Sequence, residues 1–424
     1  ARDLIYQAIV EYRRMKNSGV VAIFEKDRYD KYSNFARIGD GSLGGKGRGL
    51  AFIGHIVKTH FDVQPNEEMY ISTPKTVVLC TDIFDEFMEA NNLYDVALSD
   101  IPDEERLTGD FFVFIDAVSR PIAIRSSSLL EDSQYQPFAG IYSTYMIPYV
   151  SDKYEMIRYL SDSIKAVYAS VFYKDSKAYM SSTHNLIDQE KMAIVLQEIV
   201  GQEYNKLFYP AISGVARSIN YYPIGNETSD DGIVDMAMGL GKYIVEGENG
   251  LRFSPKYPNN ILQLSTLDLA LRDTQTQFYA LDLGEEHGET TVDDGFNLKK
   301  IRVQNAGKDS PLRFIASTYD PNDQIIRDGY YEGGRKIVSF ANILKHDTLP
   351  LANTLEKVLK IGEEGMGRPV EIEFAVDIIN QNVAKFYILQ IRPIVDSKEV
   401  VSDDLVNIDR ERVLLHSFRA LGNG

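Results

Sequence analysis

Two segments near the C-terminus alternate apolar and polar residues with a period of two, the pattern of strands that have one buried face. They cover residues 371–377 and 386–393. The stretch between them, residues 378–385, is polar enough for a hairpin loop. The pattern therefore predicts that this part of the chain ends in an antiparallel β-ribbon.

The alternation places Glu371 and Glu373 on one face, roughly 6–7 Å apart at about 3.3 Å rise per residue, and it likewise pairs Gln390 with Arg392. Carboxylates together with phosphate oxygens suit Mg²⁺, and arginine holds phosphate in a bidentate fork. The ribbon thus favours a nucleoside triphosphate with its metal ion, with Glu371, Glu373 and Gln390 as candidate metal ligands. Taken alone, it also fits a solvated sheet face with cross-strand ion pairs.

The composition excludes several classes of partner. The chain has 424 residues, enough for two or three domains, and a net charge of −17. This charge argues against nucleic acid and against an anionic membrane surface, since both need a basic footprint. There is one cysteine, Cys80, and we find neither a signal peptide nor an apolar run of membrane-spanning length. We therefore expect a cytoplasmic protein, processed or cut from something longer because it begins at Ala1.

The order of patterns along the chain predicts an α+β protein with two lobes that divide near residue 190. Helical periodicity covers residues 3–15, 50–57, 83–90, 151–180 and 353–362, and strand patterns cover residues 76–80, 121–125 and 192–200. Short strands and glycine-rich turns dominate from about residue 211.

A glycine-rich segment precedes the helix at residue 50, and Lys46 lies in the middle of it, within residues 44–49. Glycines let the backbone approach a phosphate, and a helix N-terminus offers N–H groups and a positive dipole. The alternative is a flexible connector. Residues 39–44 also match a dinucleotide-binding fingerprint, but no convincing strand precedes them, so we interpret that match as coincidental.

Two polar residues on predicted strands are further candidates. Arg125 ends an apolar strand, where a charge is costly to bury without a partner, and three serines follow it. These serines could touch phosphate oxygens or simply cap a helix. Gln197 lies on the strand at residues 192–200, where its amide suits an adenine; an ordinary strand with an exposed polar pair fits as well.

Eight short motifs follow one another in an order that resembles the nucleotide-binding module of phosphoenolpyruvate synthase (pyruvate, water dikinase) and pyruvate phosphate dikinase. They lie at residues 44–47, 124–132, 138–144, 196–200, 213–216, 239–241, 371–374 and 389–393. The resemblance, over residues 39–396, implies an ATP-grasp fold in which two α+β lobes clamp ATP. It implies a first lobe at 39–190, a second lobe at 191–396 and a linker at 397–424 that leads to a further domain. A helical lead-in at 1–38 lies outside the resemblance.

The resemblance also implies roles for individual residues. Lys46 and Arg125 would contact the phosphates, and Gln390 and Arg392 would complete the phosphate end, with Lys46, Arg125 and Arg392 as the catalytic set. Glu373 would bind Mg²⁺ and ribose. The remaining nucleotide contacts implied are those of Gly140, Ile141 and Thr144, over the phosphate chain, and Gln197, beside the adenine.

Members of the family pass a phosphoryl or pyrophosphoryl group from ATP to a histidine on a swivelling domain, which carries it to a barrel domain that makes phosphoenolpyruvate from pyruvate. This chain contains no Gly-Gly-x-x-Ser/Thr-His segment. We therefore expect it to bind ATP and to work with phosphohistidine and pyruvate domains of the full-length protein; a homodimer is left open.

Two other acceptors, a glucan or an antibiotic, fit the same module, and so does nucleotide sensing without catalysis. The sequence also departs from the family pattern in three places. Arg217 and Ser218 follow residues 213–216, where the family commonly has Phe-Thr or a similar pair, residues 201–212 are an insertion, and the loop at residues 133–137 is bulky.

Overall fold

The computed structural model describes residues 22–23, 34–61, 68–90, 115, 118–128, 142–173, 176, 191–284 and 295–394. The helix expected at residues 3–15 and the linker expected at 397–424 lie outside them.

The described residues form strands and helices in mixed order, as expected for an α+β protein. The strands are β1 (Ala22–Ile23), β2 (Phe35–Ile38), β3 (Met69–Ser72), β4 (Thr76–Leu79), β5 (Ile122–Ser128), β6 (Thr144–Ile147), β7 (Met192–Glu198), β8 (Gln202–Tyr204), β9 (Leu207–Tyr209), β10 (Ile212–Arg217), β11 (Ile233–Ala237), β12 (Leu251–Phe253), β13 (Gln277–Asp282), β14 (Leu298–Arg302), β15 (Ala316–Asp320), β16 (Ile325–Asp328), β17 (Arg335–Val338), β18 (Val370–Asn380) and β19 (Val383–Pro393). The helices are α1 (Gly44–His60), α2 (Thr81–Ala90), α3 (Lys153–Ser170), α4 (Lys242–Val245), α5 (Leu267–Arg272), α6 (Leu312–Ile315), α7 (Ala341–Leu344) and α8 (Leu351–Met366).

The first large sheet has the strand order β1-β2-β4-β7-β5-β6. Its central strands β4, β5 and β7 are buried almost throughout, which fits the apolar runs in β4 and β7 and in the first three residues of β5. Helix α3 covers it with the predicted stripe of buried residues, among them Leu160 and Val167. Asp152 caps this helix by accepting hydrogen bonds from the backbone N–H groups of Tyr154 and Glu155.

The second large sheet has the order β12-β11-β10-β18-β19-β3 and contains the predicted ribbon. Strands β18 and β19 pair antiparallel, as expected. The expected loop over residues 378–385 is wrong, however, because the pairing continues through Ile378 opposite Ala384 and leaves a turn of only two residues, Gln381 and Asn382. The polar residues there face water at the end of the ribbon.

Two smaller sheets complete the architecture, with the orders β14-β13-β9-β8 and β16-β15-β17. Helix α8 packs on the second large sheet through buried residues that include Leu355 and Leu359.

Helix α1 and strand β3 connect the first part of the chain to the second large sheet. Helix α1 contacts β5 and β7 of the first sheet and β19 of the second. A Cβ at Gly49 would lie 2.7 Å from the carbonyl oxygen of Ile391, so the glycine permits close packing of α1 on β19. Strand β3 pairs in parallel with β19, although its residues fall in the range expected for the first lobe. The lobe boundaries stay a prediction.

Over the same described residues, none of the helices combines the length and the apolar character that crossing a membrane requires.

Candidate functional site

The glycine-rich segment is the beginning of α1, so the helix begins at Gly44 and not at residue 50 as expected, and its start lies against strand β5. The side-chain oxygen of Ser127 accepts a hydrogen bond from the Gly47 N–H (3.0 Å) and donates one to the carbonyl of Leu43 (2.8 Å). Lys46 Nζ donates to Ser126 Oγ at 3.1 Å. The first turn of the helix and its lysine are therefore fixed to the strand that carries Arg125.

The serines after Arg125 belong to the strand and not to a helix. Ser126, Ser127 and Ser128 are fully buried in β5. The strand thus extends three residues further than its apolar letters indicate, and the residues that a capped helix after Ser128 would need lie outside the described residues.

Arg125 connects the two large sheets. Its Nη2 donates to Glu373 Oε2 at 2.7 Å and to Gln390 Oε1 at 2.8 Å, while its Nη1 lies 3.5 Å from Gln197 Oε1. Its side chain is only 14% exposed. Four candidates that are far apart in sequence thus meet at one guanidinium, with Thr144 directly opposite Arg125 in the β5–β6 pairing.

Gln197 is held from both sides at this centre. It is 3% exposed, and its Nε2 donates to Thr76 Oγ1 at 3.4 Å. The alternative interpretation of Gln197 as part of an exposed polar pair is therefore wrong. Gly140 and Ile141 lie outside the described residues.

The charged neighbours of Glu373 control its ionisation. Burial opposes the charged form and raises the pKa, but the charge and hydrogen bond of Arg125 outweigh it, assisted by the charges of Arg392 and Lys46. The net result is that the pKa of Glu373 lies below its ordinary value. Glu373 is thus held as a carboxylate among three cations.

Glu371 is held by two arginines. Arg392 Nε donates to its Oε1 at 2.7 Å, and the Arg392 Nη2 contacts the same oxygen. Arg217 Nε donates to Oε2 at 2.7 Å. The cross-strand ion pair of the alternative interpretation is therefore present, but the Glu371 side chain is only 11% exposed, so this face is not simply solvated.

Sequence reasoning did not find Arg217 as a member of this cluster. The sequence signal that could have indicated it is the departure from the family pattern at this position, where a charged residue ends a strand. Recognising its partner required the register, in which Arg217 lies directly opposite Glu371.

The donor set limits how a divalent cation could bind. Among the described residues, no group of three or more His, Cys, Asp or Glu side chains could hold a metal ion. Magnesium needs only one or two carboxylates when phosphates supply the other oxygens. The hydrogen bonds described above use Oε2 of Glu373 and both oxygens of Glu371, so Glu373 can offer an oxygen more readily than Glu371.

The architecture and this centre define a two-lobed ATP-grasp protein, which confirms the expected fold class. The family model for the pyruvate phosphate dikinase AMP/ATP-binding domain matches residues 104–412, and the chain belongs to this family. The match begins after Lys46, so the packing of α1 against Ser126 and Ser127 is what connects the glycine-rich start of this helix to the centre.

Two relatives show the extent of the similarity. An uncharacterized phosphotransferase, YvkC of Bacillus subtilis (strain 168), is 28% identical over 189 residues, which are 42% of this chain and 20% of the relative. A phosphoenolpyruvate synthase of Aeropyrum pernix is 25% identical over 276 residues, 64% of this chain and 28% of the relative. The chain thus matches less than a third of the length of either protein.

Proposed function

We propose that this chain is the ATP-binding module of a phosphoenolpyruvate synthase-like dikinase, which uses ATP with Mg²⁺ to phosphorylate a histidine on a separate domain for transfer to pyruvate. The observation that carries the proposal is the position of Arg125, whose guanidinium joins Glu373 and Gln390 of one sheet to Gln197 of the other. The name of the Aeropyrum relative supports pyruvate as the acceptor.

Most of the candidates belong to the phosphate end of the nucleotide. Lys46, Arg125 and Arg392 contact the phosphates, and their charges offset those of the triphosphate. Gln197, whose Oε1 lies 3.5 Å from Arg125 Nη1, is the candidate for the adenine side of this guanidinium. Gly140, Ile141 and Thr144, the last of which is the first residue of β6, are the candidates for contacts over the phosphate chain, and Gln390 completes the phosphate end.

The carboxylates are the candidate ligands of Mg²⁺, together with Gln390. Glu373 is the residue we propose as the principal ligand, because its depressed pKa keeps it ionised and one of its oxygens remains outside the bond to Arg125. Glu371 would have to release one of its two arginines before it could also bind Mg²⁺. When bound, the metal ion neutralises charge on the phosphate oxygens.

Phosphoryl transfer depends mainly on positioning and on charge neutralisation. An imidazole nitrogen of the acceptor histidine attacks a phosphorus atom of ATP, and the bond from that phosphorus to its bridging oxygen breaks. ADP leaves if the γ-phosphoryl group is transferred, and AMP leaves if a pyrophosphoryl group is transferred. Lys46, Arg125 and Arg392 stabilise the charge that develops on the phosphate oxygens.

Calorimetric titration of this chain with a non-hydrolysable ATP analogue, with and without Mg²⁺, tests the binding site. We expect binding that strengthens with the metal ion in the unchanged chain and a weaker metal response in Glu373→Gln. The parent's metal response in that variant would contradict the role of Glu373.

The acceptor needs a separate experiment on the full-length protein. ATP labelled in the β- or γ-phosphate should produce an acid-labile phosphohistidine, and the label should pass to phosphoenolpyruvate when pyruvate is added. Label that reaches a glucan or an antibiotic instead would show that the acceptor is not pyruvate, whereas the role of this chain as the ATP-binding module would stand. Binding of ATP without any transfer would indicate a nucleotide sensor.

A further inference from the structure

Five side chains of alternating charge lie in a row across five neighbouring strands of the second large sheet. From the edge inward they are Arg252 on β12, Asp235 on β11, Arg217 on β10, Glu371 on β18 and Arg392 on β19. The row ends at Arg392, a proposed phosphate contact.

The strand register sets most of this row. Arg217 lies directly opposite Glu371, and Glu371 lies directly opposite Arg392. Arg252 and Asp235 are also direct partners, whereas Arg217 reaches Asp235 diagonally, with Nη1 at 3.2 Å from Oδ2. Such cross-strand neighbours interact because their side chains leave the same face of the sheet.

Arg217 is the member that reaches both acids in the row. Its Nε donates to Glu371 and its Nη1 donates to Asp235, so the guanidinium is fixed at two points. Glu371 in turn uses one oxygen for Arg217 and the other for Arg392. A carboxylate held at both oxygens cannot rotate without losing a charge-assisted hydrogen bond. The orientation of Arg392 therefore depends on Glu371, and that of Glu371 on Arg217.

We propose that Arg217 is a positioning residue for the phosphate end of the site, and that it acts on ATP through Glu371 and Arg392. This inference rests on the proposed function, in which Arg392 contacts phosphate. Its distinguishing consequence is that the effect of Arg217 on nucleotide affinity requires Arg392. A direct contact between Arg217 and ATP would have no such requirement.

A double-mutant cycle on this chain tests the dependence, with the affinity for a non-hydrolysable ATP analogue as readout. Arg217→Met keeps most of the side-chain volume and removes the charge. We expect it to weaken binding about tenfold when Arg392 is present and less than about twofold in the Arg392→Ala background, since residues in one ion-pair network couple. Equal losses in both backgrounds would overturn the proposal.

AMP affinity distinguishes a positioning role from a purely structural one. A structural role of Arg217 would affect the affinities for AMP and for the ATP analogue alike. It lacks the β- and γ-phosphates, so Arg217→Met should leave AMP affinity within about twofold of the parent value. If the variant loses AMP and the ATP analogue alike, the residue supports the fold instead, and the proposal fails.

Arg327→Met is the matched control for loss of a strand arginine that pairs with acids. Arg327 lies on β16 and pairs with Asp323 at 2.6 Å, in a different sheet from the row. We expect this control to bind the ATP analogue with the parent's affinity. If it binds more weakly, the assay responds to any such substitution, and the positioning role of Arg217 is overturned.

The outcomes also separate the two proposals. If Arg392→Ala weakens the analogue and Arg217→Met does not, only the positioning role of Arg217 is overturned. If Arg392→Ala has no effect while the unchanged chain binds, the phosphate contact at Arg392 is wrong and the role of Arg217 falls with it.

Discussion

A Cβ atom on Gly44 would lie 1.8 Å from the carbonyl oxygen of Ser127. Gly44 also has a φ angle of +69°, in the left-handed region that side chains disfavour. The first residue of α1 therefore lies directly against the backbone of β5. This contact brings the lysine two residues later to the strand of Arg125.

Gly44→Ala should destabilise the chain for two reasons. The new methyl group would clash with the carbonyl oxygen of Ser127, and alanine disfavours the positive φ of this position. We expect the free energy of unfolding to fall by about 2–3 kcal/mol. Chemical denaturation of the parent and the variant would measure the difference.

Gly367→Ala is the matched control, because Gly367 has nearly the same φ, +66°, and a Cβ added to it would meet no heavy atom within 4 Å. It should cost only about 1 kcal/mol, the backbone contribution alone. Equal losses at the two glycines would show that the contact with Ser127 contributes nothing.

Arg392→Ala should weaken binding of the ATP analogue by about 2–4 kcal/mol, as expected for loss of a charge-assisted contact to phosphate. It also removes one of the two arginines on Glu371. Calorimetry would measure the change, with Arg327→Ala as the control. Unchanged affinity would refute the phosphate assignment.

Glu373 should make the unfolding free energy depend on pH in the acid range. Because its folded pKa lies below the ordinary value of 4.5, its stabilisation is present above pH 4.5 and is lost as the pH falls through the folded value. At pH 7 we expect Glu373→Gln to be less stable than the parent by about 1–2 kcal/mol. The difference should shrink as the pH is lowered from 4.5, and a constant difference would speak against the ion pair.

Asp377 should have the opposite effect. It is 4% exposed, and burial raises its pKa to about 6, although Arg120, whose Nη1 lies 3.7 Å from Oδ2, acts in the other direction. Among the described residues, Oδ1 has no hydrogen-bond partner. The folded state then binds the proton more tightly than the unfolded state, so stability falls as the pH rises from about 4 to 6.

Asp377→Asn should therefore stabilise the chain at pH 7 by about 2–3 kcal/mol and leave it nearly unchanged at pH 4. Denaturation curves at the two pH values would measure the gain, with pH 4 as the internal control. A variant that is less stable at pH 7 would mean that the bond to Arg120 outweighs the cost of burial.

The period-two alternation was sufficient to predict that Glu371 shares a face with Glu373, because side chains of a strand must alternate. It does not hold along the whole ribbon, because a register shift between Glu373 and Phe374 interrupts the alternation. It placed Glu371 with Glu373, and the register opposes them to Arg392 and Gln390. The loop predicted at residues 378–385 was wrong, because the polar residues there reflect exposure to solvent and not the absence of strand pairing.

Contacts between the sheets could not be derived from local pattern. Arg125 and Glu373 are 248 residues apart, and nothing near either residue specifies the other. The family resemblance brought them together as nucleotide ligands, whereas their mutual hydrogen bond depends on how the two sheets face each other. Arg217 could not be assigned to Glu371 for a different reason: the two residues lie on neighbouring strands of one sheet, but they are 154 residues apart, and no local pattern shows that β10 pairs with β18.

Strand β3 imposes an order on folding during synthesis. It pairs with β19, Met69 opposite Ala384, and the second residue is made 384 − 69 = 315 residues after the first. At about 5–20 residues per second, the ribosome needs roughly 16–60 s for that interval. Throughout it, the edge strand has no β19 to pair with, so closure of this long loop is among the last steps by which the sheet is completed.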